Sequence, residues 1–354
     1  MSVALLLHKL HAIRNGIITA GAMVLCTSAT TGAEGVLPPK DEWQKKAAAY
    51  SAAHDGVSML VLIDGVATLE EYPNGGGADK AWQLASGTKS FWGPLMLIAE
   101  KEGICTLDER IADTITEWSG DARRSRITVR HLLSLTSGLP NGRSLAPPYR
   151  DAIQYTAKNE PGDVFEYSSV SYQCLGEFLK RKLALKKMSS LDYLKTRIFE
   201  PIGLVLADWN RGTDGEPVLP WGAHLTAREW AKYGELIRHG GTWKGKEIIP
   251  SSPLRSCFIG SKANPSYGLT WWLNTRNDLP ADLVLAAGAG DQRMYIAPSR
   301  STVAIRQRKI DIKQLMRSKR QPDSAFSDAE FCSLLFTGVS STNDAPMVLM
   351  RPME

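Results

Sequence analysis

The stretch that decides the fold is Ala81–Gly103, which reads AWQLASGTKSFWGPLMLIAEKEG. A short apolar segment precedes Ser86, and a longer apolar segment with helical character follows it. Lys89 stands three residues after Ser86, and residues at this spacing share one face of a helix, so that their side chains can meet. The stretch therefore predicts a strand, a junction and a helix, with a hydroxyl beside an amine at the junction.

This spacing makes Ser86 a candidate nucleophile. Lys89 could accept the hydroxyl proton, and the free N–H groups at the start of a helix favour negative charge that develops nearby, so attack on a carbonyl is the implied chemistry. The alternative is a serine that only caps the helix, with Lys89 as a solvated cation of the first turn. Ser86–Lys89 is the only Ser-x-x-Lys in the chain and lies at a strand-to-helix junction, which favours the nucleophile.

A second group that transfers protons is predicted in Glu160–Leu183, where Tyr167 follows a Pro-Gly turn. A phenol close to a lysine ammonium should have a lowered pKa and could act as general base, then as general acid toward the leaving group. The alternative is a tyrosine of the core. Tyr72 has a similar polar context but runs into three glycines, which predict a hairpin turn, so Tyr167 is preferred.

These motifs resemble the serine β-lactamase and penicillin-binding-protein superfamily, specifically its class C-like branch of esterases and amide hydrolases. The resemblance covers most of the chain after the N-terminal segment, and it implies an α+β, β-lactamase-like fold in which an antiparallel sheet is flanked by helices and joined to an all-helical lobe. It also implies that Ser86 is the nucleophile, Lys89 its partner and Tyr167 the catalytic phenol. Four further stretches match in order: Ile127–Gly142, Gly222–Pro250, Tyr267–Asn274 and Ala286–Ser299.

Two positions depart from that pattern. Ser169 stands where many relatives carry Asn; its hydroxyl can still bond Lys89 but binds a substrate amide less firmly. The Lys-Thr-Gly or His-Thr-Gly of relatives is replaced by Ala286–Gly288, so the cation is lost. Gly288 would still allow close backbone approach, and the N–H of Ala289 could join that of Ser86 in an oxyanion hole. The alternative for Gly288 is a flexible strand or bulge.

Composition bounds the possible partners. The chain has 354 residues, enough for a large core in one or two domains, and its formal net charge is only +5. Because basic and acidic residues are interspersed, no nucleic-acid partner is expected. The six histidines show no metal-binding spacing, so we expect no metal and no cofactor. The expected partner is a small ester or amide substrate, and the oligomeric state stays undetermined.

The N-terminal segment 1–33 predicts a secretory signal peptide. His8, Lys9 and Arg14 precede the apolar run Gly16–Cys26, and small polar residues follow it up to Ala33. We therefore expect an exported, periplasmic protein with no membrane span after cleavage. Four cysteines would remain, and they are either disulfide partners or small buried hydrophobes: Cys105, Cys174, Cys257 and Cys332.

The predicted domains are a sheet domain made of residues 34–103 and 225–354 and a helical lobe of residues 104–224, with the site at their junction. A helix should run from Ser86 toward Gly103 with a kink or a weakened turn at Pro94, and another should begin with a capping box at Thr226 and Glu229. Strands are predicted at 57–63, 66–72, 267–274, 283–287, 293–297 and 302–307, and a closing helix at 328–337.

The predicted function is that of an exported serine hydrolase of esters or amides. The alternatives are a β-lactamase or D-alanyl-D-alanine carboxypeptidase-like enzyme, and a catalytically silent domain of the same fold. Without the usual cation, anionic β-lactams should be poor substrates unless a guanidinium from a neighbouring strand enters the site. Three arginines could contribute to anion binding: Arg293, Arg306 and Arg308. Four aromatic residues could line a pocket or pack in the core: Trp92, Trp271, Trp272 and Tyr295.

Overall fold

A six-stranded antiparallel sheet forms the centre of the computed structural model, which describes residues 40–142, 146–310, 326–341 and 347. Its strand order is β2-β1-β11-β10-β9-β8, so the first two strands of the chain lie beside the last. A second sheet has the order β3-β5-β4, and β6 pairs with β7. The strands are β1 (Gly56–Ile63), β2 (Val66–Glu71), β3 (Trp82–Gln83), β4 (Asp208–Trp209), β5 (Ala223–Leu225), β6 (Thr242–Trp243), β7 (Lys246–Glu247), β8 (Trp272–Leu273), β9 (Val284–Gly288), β10 (Gln292–Ala297) and β11 (Thr302–Arg308).

Helices cover both faces of the main sheet. Successive residues of β9, β10 and β11 are buried without alternation, which is typical of strands enclosed on two sides. The helix α7 packs on β10, β11 and β1, while α1 packs on β1 and β2 and against α9. The helices are α1 (Lys40–Ala53), α2 (Trp92–Lys101), α3 (Val129–Leu133), α4 (Tyr149–Ala152), α5 (Ser169–Leu183), α6 (Ser190–Leu194), α7 (Ala227–Arg238), α8 (Ser251–Leu254) and α9 (Asp328–Thr337).

The α+β class is confirmed, with one difference in the helical segment. Residues 104–224 contain α3 to α6 and several short turns of helix, but they also supply β4, so the segment is not all-helical. The strand β4 joins the small sheet because Asp208 and Trp209 pair with β5. All described residues belong to one compact unit, and the predicted boundaries between sheet domain and lobe stay a prediction.

Most predicted elements are confirmed within one or two residues, and two predictions are wrong. The segment 267–274 forms only the short strand β8, because the chain turns back on itself and Tyr267 bridges Trp272. The predicted single helix after Ser86 is a 3-10 segment, Ala85–Phe91, followed by α2. Pro94 lies in the first turn of α2, where backbone N–H groups have no hydrogen-bond partner within the helix. The lack of an N–H in proline therefore costs no helical hydrogen bond, and the predicted kink is not required.

The helix caps follow the predicted chemistry in part. Thr226 accepts a hydrogen bond from the Glu229 N–H at 3.2 Å, but the Glu229 carboxylate pairs with Lys232, so only half of the capping box forms. Thr128 and His131 form a complete capping box, which makes His131 a satisfied structural histidine. The helix α1 was not predicted.

The signal-peptide prediction falls on residues 1–33, which lie outside the described residues. Within the described ranges, no helix is long and apolar enough to cross a bilayer. The four described cysteines are buried free thiols, so they behave as small hydrophobes rather than as disulfide partners. Burial raises the pKa of the Cys105 thiol to about 12.

Candidate active site

Ser86 lies on the 3-10 segment that connects β3 to α2, and its side chain is half-buried. The preceding residue, Ala85, has a φ of +48°, in the left-handed region that residues with a Cβ rarely adopt. Such backbone strain persists only where surrounding contacts enforce it, and it is found mainly at functional sites. The chain therefore makes a sharp turn immediately before the candidate nucleophile.

Lys89 is enclosed beside Ser86. Its side chain is buried, and its Nζ donates to the Ser86 Oγ at 2.9 Å and to the Pro220 carbonyl at 3.1 Å. Burial lowers the pKa of Lys89 to about 7. A large fraction of Lys89 is thus the neutral amine at neutral pH, which can accept a proton from the serine.

The small sheet brings the Pro220 carbonyl to Lys89. The N–H of Leu84 donates to the Ala223 carbonyl at 2.9 Å, and the N–H of Ala223 donates to the Thr88 hydroxyl at 3.2 Å. These bonds fix the segment 220–223 against the 3-10 segment. A backbone carbonyl carries no signature in the sequence, so this partner of Lys89 was not predicted.

Tyr167 lies next to the serine and the lysine, at the entrance to α5. Its ring stacks on Trp272 with centroids 5.7 Å apart, and the Lys89 Nζ is 4.8 Å from its centroid. Ser168 fixes the local backbone by accepting from the Val170 N–H at 3.1 Å and donating to the Pro140 carbonyl at 2.8 Å. The structure thus brings Tyr167 together with Ser86 and Lys89.

The direction of the Tyr167 pKa shift is opposite to the predicted one. Burial raises the pKa of Tyr167 to about 12, and the hydrogen bond with Ser86 and the charge of Arg293 only partly counteract it. The lysine does not lower it, because Lys89 is itself shifted toward the neutral amine. Tyr167 is therefore a protonated phenol in the resting site. Tyr72, the rejected candidate, donates its hydroxyl to Glu70.

Ser169 is the first residue of α5 and is half-buried. Among the described residues, Lys89 donates to Ser86 and Pro220 and not to Ser169, so the predicted bond between Ser169 and Lys89 is absent. Ser169 stays a candidate substrate contact because of the family resemblance, in which many relatives carry Asn at this position.

Gly288, the last residue of β9, lies directly against the backbone that precedes Ser86. A Cβ at Gly288 would be 2.1 Å from the Leu84 carbonyl oxygen and 3.1 Å from the Gly87 nitrogen. The strand end thus makes the close backbone approach that was predicted for Gly288. Ala289 follows in the turn between β9 and β10 and is half-buried.

The three arginines predicted as possible anion binders are each engaged by acceptors within the protein. Arg293 pairs with Asp328 at 2.7 Å, Arg306 donates to the Asp291 carbonyl at 2.8 Å, and Arg308 pairs with Asp55 at 2.6 Å. The four aromatic candidates are fully buried core residues, although one also supports Tyr167 from behind: Trp92, Trp271, Tyr295 and Trp272.

Two further observations concern metal-binding groups and cavities. In the part of the chain that the structure describes, no group of three or more His, Cys, Asp or Glu side chains is arranged to hold a metal ion. A surface cavity of about 530 Å³ is lined by residues such as Phe258, Leu273 and Ile296, and neither Ser86 nor Tyr167 lines it. The reactive groups therefore lie in a separate place from that cavity.

Comparisons with known proteins concern the family and the fold. Protein flp of Staphylococcus aureus (strain MW2) is 24% identical over 168 residues, which are 42% of this chain and 33% of its own length. A penicillin-binding protein homologue from Caulobacter crescentus has a TM-score of 0.61 at 18% identity, covering 77% of this chain and 92% of its own. EstCE1, described as a hydrolase with promiscuous acyltransferase activity, has a TM-score of 0.62 at 17% identity, covering 84% and 99%.

The chain spans about a third of the length of Protein flp, and the two solved structures establish similarity of fold. The profile of the β-lactamase family matches residues 43–306, which include the Ser86–Lys89 segment, Tyr167 and the β9–β10 turn. The chain therefore belongs to the β-lactamase family, a family of hydrolases that share this fold.

Proposed function

We propose that the protein is a serine hydrolase that cleaves carboxylic esters or amides through an acyl-enzyme on Ser86. The observation that carries this proposal is the 2.9 Å contact between the Ser86 hydroxyl and the buried Lys89 amine, whose pKa is about 7. A lysine that is partly neutral and adjacent to a serine hydroxyl is the arrangement that activates a serine for attack. A catalytically silent domain would have no need to bury a lysine amine beside this hydroxyl.

The mechanism begins with proton transfer from the Ser86 hydroxyl to the neutral Lys89. The Oγ then attacks the substrate carbonyl carbon, and the N–H groups of Ser86 and Ala289 stabilise the oxyanion of the tetrahedral intermediate. As the intermediate collapses, the bond to the leaving group breaks. Tyr167 is a protonated phenol and donates its proton to the departing alkoxide or amine, and the proton held on Lys89 then returns to the phenolate. Water releases the acid by the reverse sequence and regenerates Ser86.

The charges around the site favour neutral substrates. The strand β9 ends in Ala286-Ala287-Gly288, so it offers no cation or hydroxyl to a substrate carboxylate. The guanidinium of Arg293 is already paired with Asp328. Losing one charge-assisted hydrogen bond in a partly desolvated site costs about 1.5–3 kcal/mol, which is roughly ten- to a hundredfold in binding or rate. We therefore expect short neutral esters to be better substrates than anionic β-lactams.

A direct comparison of substrates tests this proposal. One preparation of the enzyme is labelled with a fluorophosphonate probe and then assayed for kcat/KM with a neutral aryl ester and with a chromogenic cephalosporin. We expect labelling that Ser86→Ala abolishes and a higher kcat/KM for the ester. A clear preference for the cephalosporin would replace the esterase assignment with a β-lactamase. Labelling that persists in Ser86→Ala would remove Ser86 as the nucleophile.

We also infer that the mature protein is exported, on the strength of the charged, apolar and small-residue order of residues 1–33. N-terminal sequencing of protein from the native host tests this inference. Mature protein should begin after that segment, and cytosolic protein that still begins at Met1 or Ser2 would overturn it.

A further inference from the structure

Arg293, in β10, connects the C-terminal helix to the strand end that faces Ser86. Its side chain is 6% exposed, and its Nε and Nη2 pair with the two carboxylate oxygens of Asp328 at 2.7 and 3.0 Å. Its Nη1 donates to the Gly288 carbonyl at 2.8 Å and to the Gln292 carbonyl at 3.1 Å. Each nitrogen of the guanidinium thus donates to a fixed acceptor.

The bond to the Gly288 carbonyl also determines the orientation of the next N–H. The Gly288 carbonyl and the Ala289 N–H belong to one peptide group, which is planar and trans, so the two bonds point in opposite directions. Holding the carbonyl toward Arg293 therefore holds the N–H on the other side of the peptide plane. That N–H is the second donor of the proposed oxyanion hole.

Contacts at Gly288 make this orientation relevant to the serine. A Cβ on Gly288 would meet the Leu84 carbonyl oxygen and the Gly87 nitrogen, so this end of β9 lies against the backbone on both sides of Ser86. A hydrogen bond to the carbonyl also polarises the peptide and strengthens its N–H as a donor. The positive charge of the guanidinium acts in the same direction on a negative oxygen.

An ion pair with Asp328 alone would not require the contact with Gly288. The Asp328 carboxylate is 10% exposed and is further held by the Tyr295 hydroxyl at 2.5 Å, so the pair is already satisfied on the helix side. The Nη1 group is the part of the guanidinium that points away from Asp328 and reaches the catalytic side. A lysine at this position could hold the carboxylate but not both partners, because it lacks the planar fork.

We propose that Arg293 is a positioning residue, anchored by Asp328, that orients the Gly288–Ala289 peptide so that its N–H serves the oxyanion hole. This inference rests on the proposed function. The buried arginine, which is not one of the reactive groups Ser86, Lys89 and Tyr167, would then affect the rate of acyl transfer rather than the recognition of anions.

The test uses two variants at the site and two matched controls. Arg293→Lys keeps the charge but loses the fork, and the double variant Arg293→Met with Asp328→Asn removes both buried charges. Arg238, whose side chain is 7% exposed, pairs with Glu235 and also contacts Asp64. In the sheet, Asp64 comes directly after Ile63, which lies opposite Thr302 at the start of β11. Arg293 lies opposite Arg306, near the other end of β11. Arg238 is therefore close to the end of the sheet that is remote from Arg293. The two controls are the single variant Arg238→Lys and the double variant Arg238→Met with Glu235→Gln.

Active serines are counted by exhaustive fluorophosphonate labelling, so that only folded enzyme contributes to kcat. For a neutral aryl ester, we expect the Arg293 variants to lower kcat per labelled serine on the order of ten- to a hundredfold, with KM changed less than threefold, because an oxyanion donor acts in the transition state. The Arg238 controls should lower the melting temperature to a similar degree and keep kcat per labelled serine. If Arg293→Lys does not fold, the uncharged double variant provides the same comparison.

The outcomes separate the two proposals. Arg293 variants whose kcat per labelled serine equals that of the Arg238 controls would show a merely structural ion pair, while Ser86-dependent turnover of the wild type leaves the hydrolase assignment intact. An Arg293 variant that loses affinity for anionic esters with no change in kcat for neutral ones would also overturn the positioning role. Absence of Ser86-dependent labelling in the wild type would remove both proposals.

Discussion

The Nζ of Lys89 lies 2.9 Å from the Oγ of Ser86, and Lys89 is only 2% exposed to solvent. A cation at this depth is destabilised by the loss of hydration, and no carboxylate of the described residues offsets the loss, so its pKa falls to about 7. Burial of Lys89 therefore lowers the free energy of unfolding, and it also favours the neutral amine that can act as a base. The predictions below follow from this relationship and from the contacts around it.

The pH dependence of catalysis should report Lys89. Because the neutral amine is the active form and its pKa is about 7, kcat/KM for a neutral ester should fall as pH drops below about 7 and level off above it. Rates measured between pH 5 and 9, after subtraction of the uncatalysed hydrolysis of the substrate, show this fall in kcat/KM at acidic pH. Lys89→Ala should lower kcat about a thousandfold or more and abolish this pH dependence. A rate that stays constant down to pH 5 would show that another group is the base.

Tyr167→Phe removes one oxygen and preserves the stacking of the ring on Trp272. Since the phenol is the proposed acid toward the leaving group, we expect kcat to fall on the order of 10²–10⁴-fold with little change in melting temperature. Esters with very acidic leaving groups need less protonation and should lose less. A variant that melts early while its folded fraction stays fully active would make Tyr167 a core residue only.

Gly288→Ala should disable the site through a backbone clash. The added Cβ would be 2.1 Å from the Leu84 carbonyl oxygen, which belongs to the main chain and cannot rotate away. We expect a loss of about 1–3 kcal/mol in the free energy of unfolding and at least a tenfold loss of kcat, because the strand end and Ser86 must separate. Gly120→Ala is the matched control, since no heavy atom lies within 4 Å of the Cβ it would add. Equal kcat for the two variants would contradict the prediction.

Thr270→Gly should stabilise the protein. Thr270 has a φ of +76°, is buried, and its hydroxyl has no hydrogen-bond partner among the described residues. A β-branched residue in this region is strained by roughly 1–2 kcal/mol, and Gly relieves the strain. Urea denaturation should show a higher midpoint for Thr270→Gly than for wild type.

Thr270→Ala separates the two causes, because it removes the unpartnered hydroxyl and keeps the Cβ in the strained backbone. An intermediate midpoint is expected for this variant. A midpoint for Thr270→Gly below that of wild type would mean that the packing of the Thr270 side chain outweighs the backbone strain.

The sequence by itself determined the features that depend on local geometry. The Ser86–Lys89 pair was predictable because residues three apart on a helical turn meet whatever the rest of the fold does. The last two strands, the hairpin of β1 and β2 and the closing helix α9 were predictable because their apolar patterns and turn residues act over a few neighbours. The need for glycine at Gly288 came from the family resemblance, and the contact with Leu84 explains it.

Only the tertiary structure decided how the reactive groups are tuned and held. The carbonyl of Pro220 binds Lys89 from 131 positions away in the chain, and a carbonyl is common to every residue, so no sequence pattern could reveal it. The pKa of Tyr167 is raised rather than lowered because burial outweighs nearby charge, and burial is set by packing from distant segments. For the same reason, the pairing of Arg293 with Asp328, 35 residues further along, becomes visible only when β10 and α9 come together.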